Sequence, residues 1–136
     1  MKTGRLNIAV GGAVIIIAGL GGIALGFTMD RYFGNGFYAV PLWRYLLKAG
    51  HTHGMPLALY NIIIGAVVGG LALTDAWKKR CSFFALLSLL MPLGLVLRGL
   101  TGGALTFAPV VMIGVLFLFA SAAILIKGAL AKKDSI

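Results

Sequence analysis

The chain has 136 residues, of which 60% are apolar and 11% charged, and its mean hydropathy is +1.03. A soluble domain of this size needs far more charge at its surface, so the composition excludes one and predicts an all-α integral membrane protein. The formal charge of +9 does not indicate a nucleic-acid partner, because the basic residues lie between and beyond the apolar stretches instead of forming one patch.

Four apolar stretches predict four transmembrane helices within a single domain covering residues 1–136. They lie at about residues 6–27, 54–73, 82–97 and 108–131, each near the roughly 20 residues that a helix needs to cross the hydrocarbon core. The third stretch is the shortest and contains Pro92, so we expect that span to be kinked or tilted.

The basic residues near the span ends predict the orientation in the bilayer. If the helices alternate in direction, seven of these residues lie on one side and four on the other. The positive-inside rule then places both termini in the cytoplasm, as expected for a multi-pass protein of the cell's inner (cytoplasmic) membrane. Trp77 marks the inner interface, Trp43 marks the outer one, and a long outer loop covers residues 28–48. The seven are Lys2, Arg5, Lys78, Lys79, Arg80, Lys132 and Lys133, and the four are Arg31, Arg44, Lys48 and Arg98.

Small residues recur at four-residue steps along the first two spans. Such strips let helix backbones approach closely, either within one bundle or between subunits. A chain this short has little interior of its own, which favours a homo-oligomer. The strips are Ala18, Gly22 and Gly26 in the first span and Asn61, Gly65 and Gly69 in the second.

The densest group of polar residues lies at the outer end of the second span and contains two histidines. If the helix begins near His53, Pro56 falls in its first turn, where a missing N–H costs nothing. His51 and His53 would project about 200° apart on a helix, so both cannot bind one metal ion from the same face. The group consists of Lys48, His51, His53, Tyr60 and Asn61.

Three interpretations of the histidines remain open from the residues alone. His53 is a candidate axial ligand of haem iron in an apolar pocket, with Arg44, Lys48, Arg31 or Arg98 near the propionates. An HxH pair in an irregular segment, with methionine sulfur, is a candidate copper or zinc site. Otherwise the histidines are interfacial residues hydrogen-bonded to water or a carbonyl.

The order of features along nearly the whole chain resembles the styrene oxide isomerase family. A glycine-rich first span and an aromatic loop precede Trp43-Arg44, and the segment from Ala49 to Pro56 contains both histidines. A short loop with Asp75 and three basic residues follows, and then the Arg98-Gly99-Leu100 and Leu105-Thr106-Phe107 segments.

The resemblance implies a small four-helix membrane protein, assembled as a homotrimer, that holds haem b between subunits through one axial histidine. Ferric haem in that family acts as a Lewis acid that opens a small hydrophobic epoxide to an aldehyde without consuming an electron. An apolar pocket would protect the reacting centre from water. The implied partners are therefore the lipid bilayer, an epoxide substrate and further copies of the chain.

Carried over by residue, the resemblance assigns the iron ligand to His53 when Pro56 is matched to the family's proline, and to His51 if the alignment shifts by two. Asn61 takes the place of a substrate-side asparagine. Residues 82–97 contain neither the tyrosine nor the aspartate of the family's third span, and Tyr60 is a candidate replacement for the phenol. The alternatives are a haem-binding module for redox, gas sensing or haem handling, and a membrane scaffold without a cofactor.

Overall fold

The computed structural model describes residues 3–28 and 40–131, in which all regular structure is helical. Residues 29–39 of the predicted outer loop lie outside these ranges, and so do Lys2, Arg31, Lys132 and Lys133. Residues 42–48 of that loop are helical, so this part of the prediction is wrong. Short 3-10 turns cover Val68–Gly70 and Leu105–Phe107. The five α-helices are α1 (Arg5–Phe27), α2 (Leu42–Val67), α3 (Asp75–Leu87), α4 (Leu90–Leu100) and α5 (Ala108–Leu130).

Within the described residues, four helical segments are long and apolar enough to cross a membrane, in agreement with the predicted number of spans. They are Arg5–Phe27, Leu42–Gly70, Asp75–Leu100 and Leu105–Leu130. We call the end where α1 begins and α5 ends the Trp77 end, and the end where α2 begins and α4 ends the Arg44 end. The described part of the chain is therefore an all-α bundle of four apolar segments.

The second helix begins at Leu42, so the predicted start at residue 54 is wrong, and Pro56 lies inside α2 instead of in its first turn. Hydropathy alone missed the first three turns because they contain Arg44, Lys48 and His51. Arg44 is nevertheless only 8% exposed, since its guanidinium is bonded to α1. Burial of a paired polar side chain lets the helix extend through a stretch of low hydropathy.

The third span is broken into α3 and α4, as its proline predicted. Pro92 has no N–H for the carbonyl of Ser88, and the N–H of Met91 bonds to that carbonyl instead, at 3.1 Å. The backbone of α5 lies very close to α4 here. A Cβ added at Gly114 of α5 would overlap the backbone of Met91 in α4. The interruption between α3 and α4 therefore lies next to the point where α4 packs closely against α5.

Close packing of α1 against α2 depends on glycine. A Cβ at Gly11 would lie 2.6 Å from the Ala58 carbonyl oxygen, and one at Gly65 would lie 2.6 Å from the Ile8 side chain. The predicted strips are therefore confirmed at Gly65 but not along their whole length, since Gly26 and Gly69 have no such neighbour within 4 Å among the described residues. The two helices are in contact along their length, from Gly65 near the Trp77 end to Arg44 at the other end.

The apolar core lies at the Trp77 end, between α2, α3 and α5. Its buried members are Ile64, Val68, Leu73, Cys81, Ala85 and Ile124.

Beside this core, a buried polar network joins the first three helices. Asn7 Nδ2 donates to Asn61 Oδ1 and to the Ser82 carbonyl, both at 2.9 Å, and the Ser82 hydroxyl donates to Asn7 Oδ1. This half of the bundle is tightly packed, whereas the other half contains the cleft described next.

Candidate functional site

A cleft of about 910 Å³ lies between α1, α2 and the α3–α4 segment, towards the Arg44 end. Its volume is within the range of small-molecule and cofactor sites. Most of the wall is aliphatic, with Val10, Val14 and Ile17 from α1 opposite Leu93 and Val96 from α4. The polar side chains of the wall are Thr28, Trp43, Arg44 and His51. Such a cleft suits an apolar ligand that needs a few fixed polar contacts.

His51 is the titratable group of the wall that can coordinate a metal, and its orientation is fixed. Its Nδ1 lies 2.7 Å from the carbonyl oxygen of Ala18 on α1. A carbonyl only accepts hydrogen bonds, so Nδ1 carries the proton and Nε2 of the neutral ring keeps its lone pair. Nε2 has no hydrogen-bond partner among residues 3–28 and 40–131. A ring N–H bonded to a backbone carbonyl is the arrangement that orients histidine ligands of metals.

Gly22 makes the contact between His51 and Ala18 possible. A Cβ added at Gly22 would overlap the imidazole, lying 2.9 Å from its Nε2 and 3.0 Å from its Nδ1. The Ala18 carbonyl lies one helical turn before Gly22, so a side chain at that position would stand between the ring and its acceptor. The His51 ring therefore packs directly against the backbone of α1 at Gly22.

Arg44 joins the last turn of α1 to the first turn of α2. Its guanidinium donates to the Thr28 hydroxyl and to the Leu25 carbonyl, both at 2.6 Å. The last carbonyls of a helix lack partners within that helix, and a cation at this end is favoured by the helix dipole. Arg44 thus closes one end of the cleft and places a positive charge in an otherwise apolar wall.

The remaining predicted ligand residues lie outside the cleft wall. His53 is exposed on the other side of α2, as the predicted 200° separation from His51 requires. Lys48 is exposed as well. Arg98 lies in the last turn of α4, where its Nε donates to the Ala104 carbonyl at 3.3 Å. A role for these three residues toward a ligand stays a prediction.

The two predicted substrate-side residues have partners elsewhere in the bundle. Asn61 is fully buried, and its Nδ2 donates to the carbonyls of Leu57 and Ala85 while its Oδ1 accepts from Asn7. The Tyr60 hydroxyl donates to Ser121 Oγ at 2.9 Å. Neither residue lines the cleft. The structure therefore gives both a helix-packing role, and their catalytic role stays a prediction.

The copper or zinc interpretation assumed an irregular segment around the histidines. His51 and His53 instead lie inside the regular helix α2 and point to different sides. Within the described ranges, no three side chains of His, Cys, Asp or Glu come together. Cys81, the one cysteine of the sequence, is buried and free.

One sequence signal would have identified this wall. Arg44 and His51 are seven residues apart, which is two helical turns, so they share a face once the helix is extended back to Leu42. Leu47 and Gly54 continue the same face and also line the cleft. The contribution of Thr28 and of the Ala18 carbonyl has no such signal, because it depends on how α1 crosses α2.

Within the described residues, the fold and the cleft together define a class: an all-helical chain with four segments long and apolar enough to cross a membrane and a largely apolar cleft between them. Comparison with known proteins adds no closer identification: no protein-family model, curated protein or solved structure matches this chain.

Proposed function

We propose that this protein binds haem b in the cleft, with His51 Nε2 as the axial ligand of the iron. The observation that supports this most directly is the Nδ1–H bond from His51 to the Ala18 carbonyl, which leaves Nε2 as the coordinating atom. The choice of His51 differs from the alignment on Pro56, which favoured His53. His51 lines the cleft, whereas His53 does not.

The chemistry of the wall fits haem. The macrocycle needs aliphatic surroundings, a single nitrogen ligand and a positive charge for its propionates, and the cleft offers aliphatic side chains from three segments, His51 and Arg44. Ferric haem supplies a Lewis acid that polarises a substrate oxygen without a change of redox state. The residues of the wall would hold the group, fix its ligand and exclude water.

We further propose that the reaction is the isomerisation of a small hydrophobic epoxide to an aldehyde, as the family resemblance implies. The wall residues support this substrate class because they are almost all apolar, so they favour a compound that partitions into the bilayer over a soluble one. Among the described residues no carboxylate lines the wall, so no carboxylate from them would compete as a nucleophile for an opening epoxide.

The absorption spectrum of purified, haem-supplied protein tests the ligand. We expect a Soret band in the unaltered chain, its loss in His51→Ala, and its retention in His53→Ala, which removes an exposed imidazole from the same helix. Loss in His53→Ala with retention in His51→Ala would show that the ligand lies on the outer face of α2. Absence of a Soret band from the unaltered chain would contradict haem binding altogether.

The activity is tested separately, by incubating haem-loaded protein with styrene oxide and measuring phenylacetaldehyde. Product formation that depends on His51 supports the isomerase. Haem-loaded protein that forms no product would instead be a haem-binding module for redox, gas-sensing or haem-handling work.

Assembly and orientation are part of the same proposal. We propose a homotrimer in the inner membrane with both termini in the cytoplasm, which places the Trp77 end inside. Large apolar side chains along α1, including Ile16, Ile17, Leu20 and Ile23, are exposed in the single chain and are available to lipid or to a neighbouring subunit. The basic residues at the Trp77 end support the orientation.

A further inference from the structure

Two cations share one aromatic ring at the Trp77 end, on the opposite side of the bundle from the cleft opening at Arg44. The guanidinium carbon of Arg80 lies 5.0 Å from the centre of the Trp77 ring, and Lys127 Nζ lies 4.6 Å from it. Both distances are within the range of cation–π contacts. Arg80 is one turn after Trp77 on α3, whereas Lys127 comes from the last turn of α5. The arrangement is therefore built by two helices.

The Trp77 ring is held in place, and the cations are accessible. Trp77 is half-buried and packs against the core cluster that contains Cys81 and Ile124. Arg80 and Lys127 are exposed. Because the core holds the Trp77 ring in place, the ring in turn helps to position the two exposed cations.

The charges of this site are not balanced within the described chain. Asp75 is the one carboxylate side chain among residues 3–28 and 40–131, and it makes no ion pair with Arg80 or Lys127 there. Because both cations lie close to the same ring centre, each raises the electrostatic energy of the other. The negative face of the indole offsets part of this repulsion, and a bound anion would offset the rest.

The position of the site at the ends of two spans indicates which kind of anion it binds. Trp77 lies in the first turn of α3, and Lys127 lies in the last turn of α5, so both are at span ends. Tryptophan at a span end settles at the level of the lipid headgroups, where phosphates are the abundant anions. Basic pockets between transmembrane helices bind anionic headgroups in this way.

We propose that Trp77, Arg80 and Lys127 form a binding site for the phosphate headgroup of an anionic phospholipid. The proposal is independent of the haem site, since none of these three residues lines the cleft. A phosphate between the two cations would join α3 to α5 through charge-assisted hydrogen bonds. The lipid would thus act as a ligand of defined position.

Lipid retention by the full-length purified protein tests the site. The protein is stripped of lipid, incubated with equal amounts of phosphatidylglycerol and phosphatidylcholine, and the retained lipids are measured by mass spectrometry. The unaltered chain should retain phosphatidylglycerol preferentially. In R80Q/K127Q the retention should fall by roughly fivefold for each cation removed. A matched variant, R5Q/K79Q, removes the same charge from exposed residues at the same end and should retain phosphatidylglycerol like the unaltered chain.

Four results would overturn the proposal. Equal loss in the two double variants would show attraction to diffuse charge, and undiminished retention in R80Q/K127Q would show that the site is elsewhere. Displacement of phosphatidylglycerol by an equal concentration of inorganic phosphate would assign the site to the free anion. Arg80→Lys keeps the charge with a smaller structural change, and it should retain phosphatidylglycerol even if R80Q/K127Q proves too unstable to purify. Loss in Arg80→Lys, with the fold intact by circular dichroism, would also overturn it.

Discussion

At the scale of single residues, the position of the His51 ring depends on a missing side chain. We expect Gly22→Ala to push the imidazole away from the Ala18 carbonyl and to weaken haem retention by roughly 10- to 100-fold, the usual cost of losing the group that orients a metal-bound histidine. Titration of the Soret band against haem concentration measures this. Gly26→Ala is the matched control, since a Cβ there meets nothing within 4 Å in the described structure, and it should bind haem normally.

The buried asparagines form a second residue-scale feature. Asn61→Ala removes the acceptor of Asn7 and the donor to two carbonyls, which leaves buried polar groups unpaired. We expect the free energy of unfolding, measured by SDS titration in mixed micelles, to fall by about 1 to 2 kcal/mol.

Thr52→Ala is the control for that experiment. Its hydroxyl is exposed and bonds within its own helix to the Lys48 carbonyl. The change should therefore alter stability by less than about 0.5 kcal/mol. An Asn61→Ala protein as stable as Thr52→Ala would show that the network contributes no net stability and leave Asn61 open to another role.

At the scale of helices, the Arg44 contact holds the last turn of α1 against the first turn of α2. Arg44→Gln loses the double donation to Thr28 and Leu25, and charged hydrogen bonds of this kind contribute about 1.5 to 3 kcal/mol each. We expect faster hydrogen exchange in the last turns of α1, measured by mass spectrometry. Lys48→Gln, one turn further along α2 and exposed, should leave this exchange unchanged. Equal protection in both variants would show that α1 is held by other contacts.

The sequence predicts that each of the four spans is helical, but it does not always predict where a helix begins or ends. The bounds of α5 are predicted to within a residue at each end, because residues 108–131 are apolar apart from Ser121 and Lys127 and Pro109 fits an early position. The start of α2 was missed, since burial of Arg44 depends on Thr28 and Leu25 of another helix. The separation of His51 from His53 followed from helix geometry, but which of them faces the cleft required the packing of α1.

The buried network was missed for a different reason. Asn7 is the third residue of α1 and the second residue of the predicted first span, where the sequence alone gives it no partner. Its importance arises from Asn61 and Ser82, which are far away in the chain. The family resemblance assigns Asn61 to the substrate side, and that role stays a prediction. Its contact with Asn7 could not be predicted, because one sequence gives no register between helices.

At the scale of the whole molecule, the distribution of charge predicts the orientation of the protein in the membrane. Within the described residues, Arg5, Lys78, Lys79, Arg80 and Lys127 lie at the Trp77 end, and Arg44, Lys48 and Arg98 lie at the other. We therefore expect a green fluorescent protein fused after residue 136 to fluoresce in bacterial cells and alkaline phosphatase at the same position to be inactive. The opposite pair of results would reverse the orientation and place the cleft near the cytoplasmic face.

The contact between Gly114 and Met91 has a consequence for adaptation of the cleft. Pro92, Leu93 and Val96 face the cleft from one side of α4, whereas Met91 meets α5 on the opposite side. Any enlargement at position 114 drives α4 away from α5 and narrows the cavity without altering a residue of its wall. Selection for smaller guests can therefore act from behind the wall, at a site that an inspection of cavity-lining positions would overlook.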